Sequence, residues 1–406
     1  MMMLLIGIYF IYPEKYIWGI QEYRIVFILN ISLIIAIIIK YKKISICDDR
    51  YSIFMFLLAG SYFLSMLYAK GDSEIAWNAG MVFWKAVVLW VMIKNILSKD
   101  ILNVDLFLWT CMVSLCILSM WGIEQYLHGN VRLENFGGSQ VRGSNQIASA
   151  FIWGLPVAYF KTVSESGYKR YVGFVCLIVL ILGIIFTESR QAFLALFFYV
   201  CCLFIVTRRK LFYVTTVFVI TLFIIPFVPS SYWDRVESIG RYSEDSSALG
   251  RIEMWTIALD MFTDSPVLGV GPDNFVVIAH KYAGFGQRIR VTHNTFLQIL
   301  SELGMLGITI FCVLMSYTLI SLWRISKVET VKLSPSNYIQ SYSMAMFMSL
   351  VGVLICCIFQ NKADHEFIYW PAAVASALVS IRQRIFDKNV EHHKDDCFLM
   401  KLKREE

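Results

Sequence analysis

Arg190 lies in the segment TESRQAF, at the junction between two long apolar runs. A cation so close to hydrocarbon is costly, which makes it a functional-site candidate. Ser189 precedes it and is predicted to cap a helix that begins at Arg190, and the positive end of that helix dipole favours a bound anion. The structural alternative is an arginine that reaches up to the lipid head groups.

Arg251 opens a second segment of interest, GRIEMWTIALDMF, which spans Gly250 to Phe262. Its apolar residues recur at helical spacing on one face, and Pro266 is predicted to stop the helix shortly afterwards. The pattern predicts a short interfacial helix with Arg251 at its N-terminus, where it favours an anion. A solvated arginine or one that contacts head groups is the alternative.

His293 lies in THNTFLQILSELGMLG, where Thr292, His293 or Asn294 is predicted to cap a helix that enters the membrane. An imidazole titrates near neutrality and can take a proton from an attacking hydroxyl, a contribution of about 100- to 10,000-fold in rate. A capping or interfacial histidine is the alternative. Arg288 and Arg290 just precede it and are candidates to bind phosphate groups, or head groups.

The composition requires lipid around these residues. The chain has 406 residues, is 58% hydrophobic and only 16% charged, and this excludes an ordinary soluble domain. Its net charge of +6 comes from short Lys and Arg clusters between apolar runs, a pattern typical of membrane topology rather than of nucleic-acid binding. Most of the ten cysteines lie inside apolar runs, so neither a disulfide framework nor a metal site is predicted.

Hydropathy predicts an all-α polytopic membrane protein with about twelve spans of roughly 17 to 25 residues. The predicted spans are 1–13, 24–40, 51–69, 75–95, 103–122, 145–162, 171–187, 190–207, 210–228, 295–323, 338–359 and 366–382. The chain thus divides into helices 1 to 9 at 1–228, a large helical periplasmic loop at 229–294, helices 10 to 12 at 295–382, and a cytoplasmic tail at 383–406. Positive charge alternates between successive loops, which predicts cytoplasmic termini and an outward-facing site.

A family resemblance rests on the motifs of this outer loop. GR-x-x-MW, SPVLGVGPDNF and HN followed by Gly304 and Gly307 are similar to the histidine region of the O-antigen ligase and O-antigen polymerase superfamily. TESR resembles the family's arginine motif, and VRGSNQIAS, with Arg142 and Asn145, resembles it more loosely. The resemblance implies about twelve transmembrane helices in a fold related to the GT-C-like, lipid-dependent glycosyltransferases, with no metal or other cofactor. It also implies functional roles for Arg190, Arg251 and His293.

The implied reaction moves a glycan from undecaprenyl diphosphate to an acceptor hydroxyl at the bacterial inner membrane. Because negative charge develops on the departing diphosphate, Arg190 and Arg251 are predicted to hold it in place of Mg²⁺. His293 is predicted to activate the acceptor hydroxyl, or only to orient it, for an inverting displacement. The predicted catalytic residues are thus Arg190, Arg251 and His293. Candidate substrate-binding residues are Arg142, Asn145, Arg288, Arg290 and Asn294.

Three functions remain open from sequence. A ligase uses the lipid A–core of lipopolysaccharide as acceptor, whereas a polymerase uses a second lipid-linked glycan, and the intact histidine region favours a ligase. A transporter should place ionisable residues at midplane on broken helices, and only Lys85 and Glu302 depart from an outer placement. Membrane lipids are expected partners, nucleic acid is not, and the sequence leaves open whether a second protein regulates chain length.

Two further expectations concern less distinctive residues. Gly269 and Gly271 in LGVGPDNF are interpreted as a tight turn, because no predicted strand precedes them as in a phosphate-binding loop. His128, His280 and His365 are expected at the surface.

Overall fold

The computed structural model describes residues 2–11, 44–129, 143–206, 246–284, 287–327 and 335–402, with isolated positions between 28 and 40 and between 210 and 215. In this part of the chain every element of secondary structure is a helix. The predicted all-α polytopic membrane fold is therefore confirmed. Arg142 lies outside the described residues, as does most of the predicted span 210–228.

The helices of the described residues follow the predicted spans closely. They are α1 (Met2–Ile11), α2 (Arg50–Leu67), α3 (Ser73–Leu97), α4 (Ile101–Leu127), α5 (Ser144–Ser164), α6 (Gly167–Phe186), α7 (Arg190–Val206), α8 (Ser246–Asp264), α9 (Phe275–Ala279), α10 (Thr295–Lys327), α11 (Pro335–Cys357) and α12 (Trp370–Leu402). Seven of them are long and apolar enough to cross a membrane, namely α2 to α6, α10 and residues 338–357 of α11. The apolar helices α1 and α7 are shorter.

Aspartates set the starts of three consecutive spans. The side chain of Asp49 accepts a hydrogen bond from the Ser52 N–H ahead of α2, and Asp100 accepts one from the Leu102 N–H ahead of α4. Asp72 accepts from two backbone N–H groups at the start of α3. Each carboxylate satisfies donors that have no partner within the helix, so the polar turns between apolar runs also define where the spans begin.

Helix α10 is broken at Gly304, and a loop fills the break. Gly304 has φ 66 and ψ −165, which interrupts the helical hydrogen bonds. The carbonyls of Ser301 and Glu302 instead accept from Val270 and Gly271 of the loop after α8, at 2.9 and 3.0 Å. In the other direction Met305 N–H donates to the Pro266 carbonyl at 2.8 Å. The freed backbone groups are thus satisfied by protein, as a membrane interior requires.

Close packing at this break explains two of the glycines. A Cβ on Gly304 would lie 2.4 Å from the carbonyl of Val267, and one on Gly269 would lie 2.3 Å from the backbone of Glu302. Both residues also have positive φ, where side chains are disfavoured. The interpretation of LGVG as a tight turn is confirmed: it docks against α10.

The last span is discontinuous. Between α11 and α12 the backbone holds only a short 3₁₀ turn, Glu366–Ile368. The Tyr369 carbonyl accepts from Trp90 Nε1 at 3.0 Å, and the Trp370 ring packs edge-on against Trp153. Trp153 lies near the middle of α5, so α12 begins about halfway through the bundle. It then continues without interruption past residue 382, where a tail was expected, to Leu402.

Two lysines are buried where α3 and α5 end, and we call this side of the bundle the lysine end. Lys94 pairs with Asp48 and lies 2.6 Å from Ser52 Oγ. Lys161 pairs with Asp105 and lies 2.9 Å from the Tyr342 hydroxyl. Both lysines are 2% exposed, and both are satisfied by carboxylates of neighbouring segments.

Candidate functional site

Helix α8 begins at Ser246, so the prediction that Arg251 opens it at Gly250 is wrong. The serines ahead of Gly250 extend the helix backwards, and Arg251 lies in its second turn rather than at its N-terminus. The helix dipole acts mainly within the first turn of a helix. Any attraction of an anion by α8 at this position therefore comes from the charge of the Arg251 side chain itself. The predicted C-terminal end of this helix is confirmed, since α8 ends at Asp264, just before Pro266.

The segment from Gln287 to Asn294 lies along α8. Trp255 Nε1 donates to the Thr292 carbonyl at 2.9 Å, and the Arg290 N–H contacts Met254 Sδ at 3.4 Å. The guanidinium of Arg290 lies beside Gly250, where an added Cβ would be 3.8 Å from its Nη1 atom. Because Gly250 is the neighbour of Arg251, two arginines from separate segments converge here.

His293 is held just ahead of α10 in an unusual backbone conformation. Its φ is 50, which few residues other than glycine, asparagine, aspartate and histidine adopt readily. Asn294 caps the helix, because its Oδ1 accepts from the Phe296 and Leu297 N–H groups at 2.9 and 3.1 Å. Among the three predicted caps, Asn294 therefore has this role, and the half-buried imidazole of His293 is left for other contacts.

The electrostatic surroundings keep His293 neutral. Burial, and after it the charges of Arg251 and Arg290, lower its pKa from 6.5 to about 4. Two positive charges disfavour a third, so the imidazole is unprotonated at neutral pH. It can then accept a proton at a place where two cations attract an anion. The structure thus brings together Arg251, Arg290 and His293, of which the sequence singled out the first and last as catalytic.

The two sequence neighbours of Arg190 hold it on the same side of the bundle as the histidine. Ser189 Oγ donates to Asn145 Oδ1 at 2.8 Å, while Gln191 Nε2 donates to the Asn145 carbonyl at 3.0 Å. Gln191 Nε2 also donates to Gln360 Oε1 at 3.0 Å. Asn145, predicted to bind substrate, thus fixes the turn that carries Arg190.

The segment after α11 joins this turn to the histidine. The Gln360 carbonyl accepts from Thr295 Oγ1 at 2.7 Å, and Asn361 Oδ1 lies 3.0 Å from Thr292 Oγ1. Thr292 and Thr295 flank His293, so α5, α7, α10 and this segment meet at one end of the bundle. We call it the histidine end. Arg190 is half-buried there, and Arg288 is exposed.

Sequence reasoning missed the importance of residues 360–366. His365 was expected at the surface, but it is 6% exposed, and its Nδ1 lies 3.1 Å from the Nζ of the fully buried Lys362. The sequence signal is the polar run QNKADHE between two apolar spans, a pattern that by itself predicts only an ordinary loop. In the described part of the chain, no group of three His, Cys, Asp or Glu side chains is arranged to hold a metal ion.

Comparison with known families identifies one match. Residues 175–312 match the family described as O-antigen ligase, Wzy_C. The match covers about a third of the chain and includes Arg190, Arg251 and His293, whereas Asn145 lies outside it. It confirms the resemblance to the O-antigen ligase and polymerase superfamily. No curated protein matches the chain.

Proposed function

We propose that this membrane protein, which belongs to the O-antigen ligase family through residues 175–312, transfers a glycan from undecaprenyl diphosphate to an acceptor hydroxyl. The family gives the chain a ligase- or polymerase-type function, and the donor, acceptor and mechanism are our proposal. The observation that carries it is the neutral histidine beside two arginines, within the matched segment. A neutral base and a pair of cations are what such a displacement needs.

The arginines bind the diphosphate of the donor. Each guanidinium can donate two parallel hydrogen bonds to phosphate oxygens, and Arg251 and Arg290 come from segments fixed to each other by the Trp255–Thr292 bond. Arg190, on the same end of the bundle, is the third candidate. Together they stabilise charge where it develops in the transition state, a contribution of about 3 to 4 kcal/mol for a well-placed donor.

His293 acts as the base in the displacement. The acceptor hydroxyl gives its proton to the imidazole, and the freed oxygen forms a bond to the anomeric carbon of the donor glycan. The bond from that carbon to the diphosphate oxygen breaks, and its electron pair stays on the diphosphate. Because attack comes from the face opposite the leaving group, the anomeric configuration inverts.

We place the reaction on the periplasmic face of the bacterial inner membrane, with both termini in the cytoplasm. Alternating positive charge in the loops supports this orientation. It assigns the lysine end to the cytoplasm and the histidine end to the periplasm. The contacts at the histidine end support a single site there, since they join α5, α7 and α10.

A reconstituted transfer assay tests the proposal and separates ligase from polymerase. Purified protein in nanodiscs receives a glycan on undecaprenyl diphosphate, with either lipid A–core or a second lipid-linked glycan as acceptor. We expect glycosylated lipid A–core with an inverted linkage. Lengthened lipid-linked chains would assign a polymerase, and no product with either acceptor would contradict the proposal.

The discontinuous spans favour one second candidate, a transporter. The expectation that ionisable residues gather at the outer boundary is wrong in part. Glu302, which the sequence analysis sets apart, is buried beside the α10 break. Three residues that it does not set apart, Lys362, Asp364 and His365, lie where the chain enters the bundle ahead of α12. Broken helices with such residues are common in transporters. Vesicles that contain the protein should hold an imposed pH gradient if transfer is its function, and rapid collapse of the gradient would favour transport.

A further inference from the structure

Lys85 is a charge in the middle of a spanning helix. It is the central residue of α3, with twelve residues on each side of it. At 1.5 Å per residue it lies about 18 Å from either end of the helix. Its side chain is exposed, on a surface that lies outside the packing of α3 against α2, α4 and α12. A lysine at this depth is too far from both interfaces to reach water by extending its side chain.

Two buried lysines of the spans, one in α3 and one in α5, show what is missing at Lys85. Lys94 and Lys161 are buried, and each is paired with a carboxylate. Lys85 has no ion pair, hydrogen bond or ring contact with any of the residues that the structure describes. An unpaired intramembrane charge marks a functional contact, since lipid offers it no partner.

Lys85 belongs to a stripe rather than standing alone. Glu74, Asn78 and Lys85 are exposed at intervals that place them on one face of α3. Apolar side chains on the same face are also open, with Trp77 at 52% and Met81 at 41% exposure. Polar groups alternating with apolar ones on a spanning helix are typical of helix–helix interfaces, where Asn and charged side chains hydrogen-bond to a neighbour.

We propose that this face of α3, which we call the Lys85 face, binds a transmembrane helix of a partner protein that carries an Asp or Glu at mid-membrane depth. Charge complementarity selects this occupant. A second copy of the chain is disfavoured, because two-fold symmetry about the membrane normal brings one Lys85 to the depth of the other. Glu74 of the same helix lies about 16 Å from Lys85 along the helix axis, so it cannot be the carboxylate that pairs with Lys85. The proposal goes beyond the transfer reaction, since none of these residues belongs to the histidine end.

Photocrosslinking in native membranes tests the Lys85 face. A benzophenone amino acid replaces Met81, and the matched control replaces Ile178, which is also 41% exposed but lies on α6. We expect an adduct with a second protein from position 81 and none from position 178. Lys85→Glu should reduce the yield by about tenfold or more, because like charges then face each other.

Exchanging the two charges between the proteins tests whether Lys85 pairs with a carboxylate of the partner. The captured partner must have a carboxylate near the middle of a spanning helix, and replacing that residue with lysine must restore the adduct in Lys85→Glu. Adducts with lipid alone, with a second copy of the chain, or with a partner indifferent to Lys85→Glu would each overturn the proposal.

Thermal unfolding of the purified full-length protein supplies an independent check. If Lys85 has no partner within its own chain, Lys85→Leu should leave Tm unchanged or raise it, because a charge is removed from lipid. A lowered Tm would show that Lys85 serves the fold of its own chain, and this result would also overturn the proposal.

Discussion

The two ends of the bundle use positive charge in opposite ways. At the lysine end, Lys94 and Lys161 are almost fully buried and are paired with Asp48 and Asp105. At the histidine end, burial and then the charges of Arg251 and Arg290 lower the pKa of His293. At the lysine end each positive charge is paired with a carboxylate, so these pairs hold helices together and attract no further ion. At the histidine end, two cations beside a neutral imidazole favour a bound anion next to a proton acceptor, and the transfer that we propose needs both.

The largest effect is expected from His293→Asn. Asparagine adopts positive φ about as readily as histidine, so the turn before α10 should form normally while the base is lost. We expect transfer to slow by about 100- to 10,000-fold, with an unchanged Tm. Rates in the reconstituted assay, together with thermal unfolding, measure both quantities. Wild-type activity in this variant would remove His293 from the mechanism.

Lys161→Met tests the opposite end. It leaves Asp105 and Glu165 without their common partner, and breaking such a buried pair costs about 3 to 5 kcal/mol. We expect a strongly lowered Tm, with an unchanged pH dependence of the activity that remains. The control is the double variant Lys161→Met with Asp105→Leu, which removes both charges and should recover part of the lost stability. A shifted pH profile would show that the two ends do not have separate roles.

Arg290→Ala should move the acid limb of kcat/KM to higher pH. The positive charge of Arg290 disfavours protonation of His293, so removing it raises the histidine pKa from about 4 toward 6.5. The base form is then lost at higher pH on acidification. The pH profile of kcat/KM reports this pKa in the free enzyme. An acid limb that stays in place would mean that Arg290 does not act on His293.

The smallest effect is expected from Arg288→Ala. Arg288 is exposed, two residues before Arg290, and it is not among the groups that shift the pKa of His293. We expect an unchanged pH profile and at most a weak loss of donor affinity. This variant is the matched control for Arg290→Ala. An equal effect of both substitutions would indicate general attraction of the anion rather than a defined site.

The spans were predictable because lipid allows few alternatives. A buried backbone must satisfy its own hydrogen bonds, so long apolar runs become helices, and Asp49, Asp72 and Asp100 mark three of their starts. The discontinuous last span was not predictable. Its position depends on contacts between residues far apart in sequence, such as that of Trp90 with the Tyr369 carbonyl.

The candidate site was predictable in its parts and less so in its assembly. Composition and helix-start patterns singled out Arg190 and His293, and a helical pattern singled out Arg251. The contribution of Arg290 depends on how the segment before α10 lies along α8, through Trp255 and Thr292. No local pattern encodes that contact. The joining role of Gln360 likewise arises from long-range bonds to Gln191 and Thr295.

The most direct test of the histidine end is a titration of His293 by NMR, with and without inorganic pyrophosphate. In the free protein we expect a pKa of about 4. Pyrophosphate bound between Arg251 and Arg290 offsets their charges, so the pKa of His293 should rise, and Arg290→Ala should reduce the rise. A pKa near 6.5 in the free protein that pyrophosphate leaves unchanged would contradict an anion site beside a neutral base.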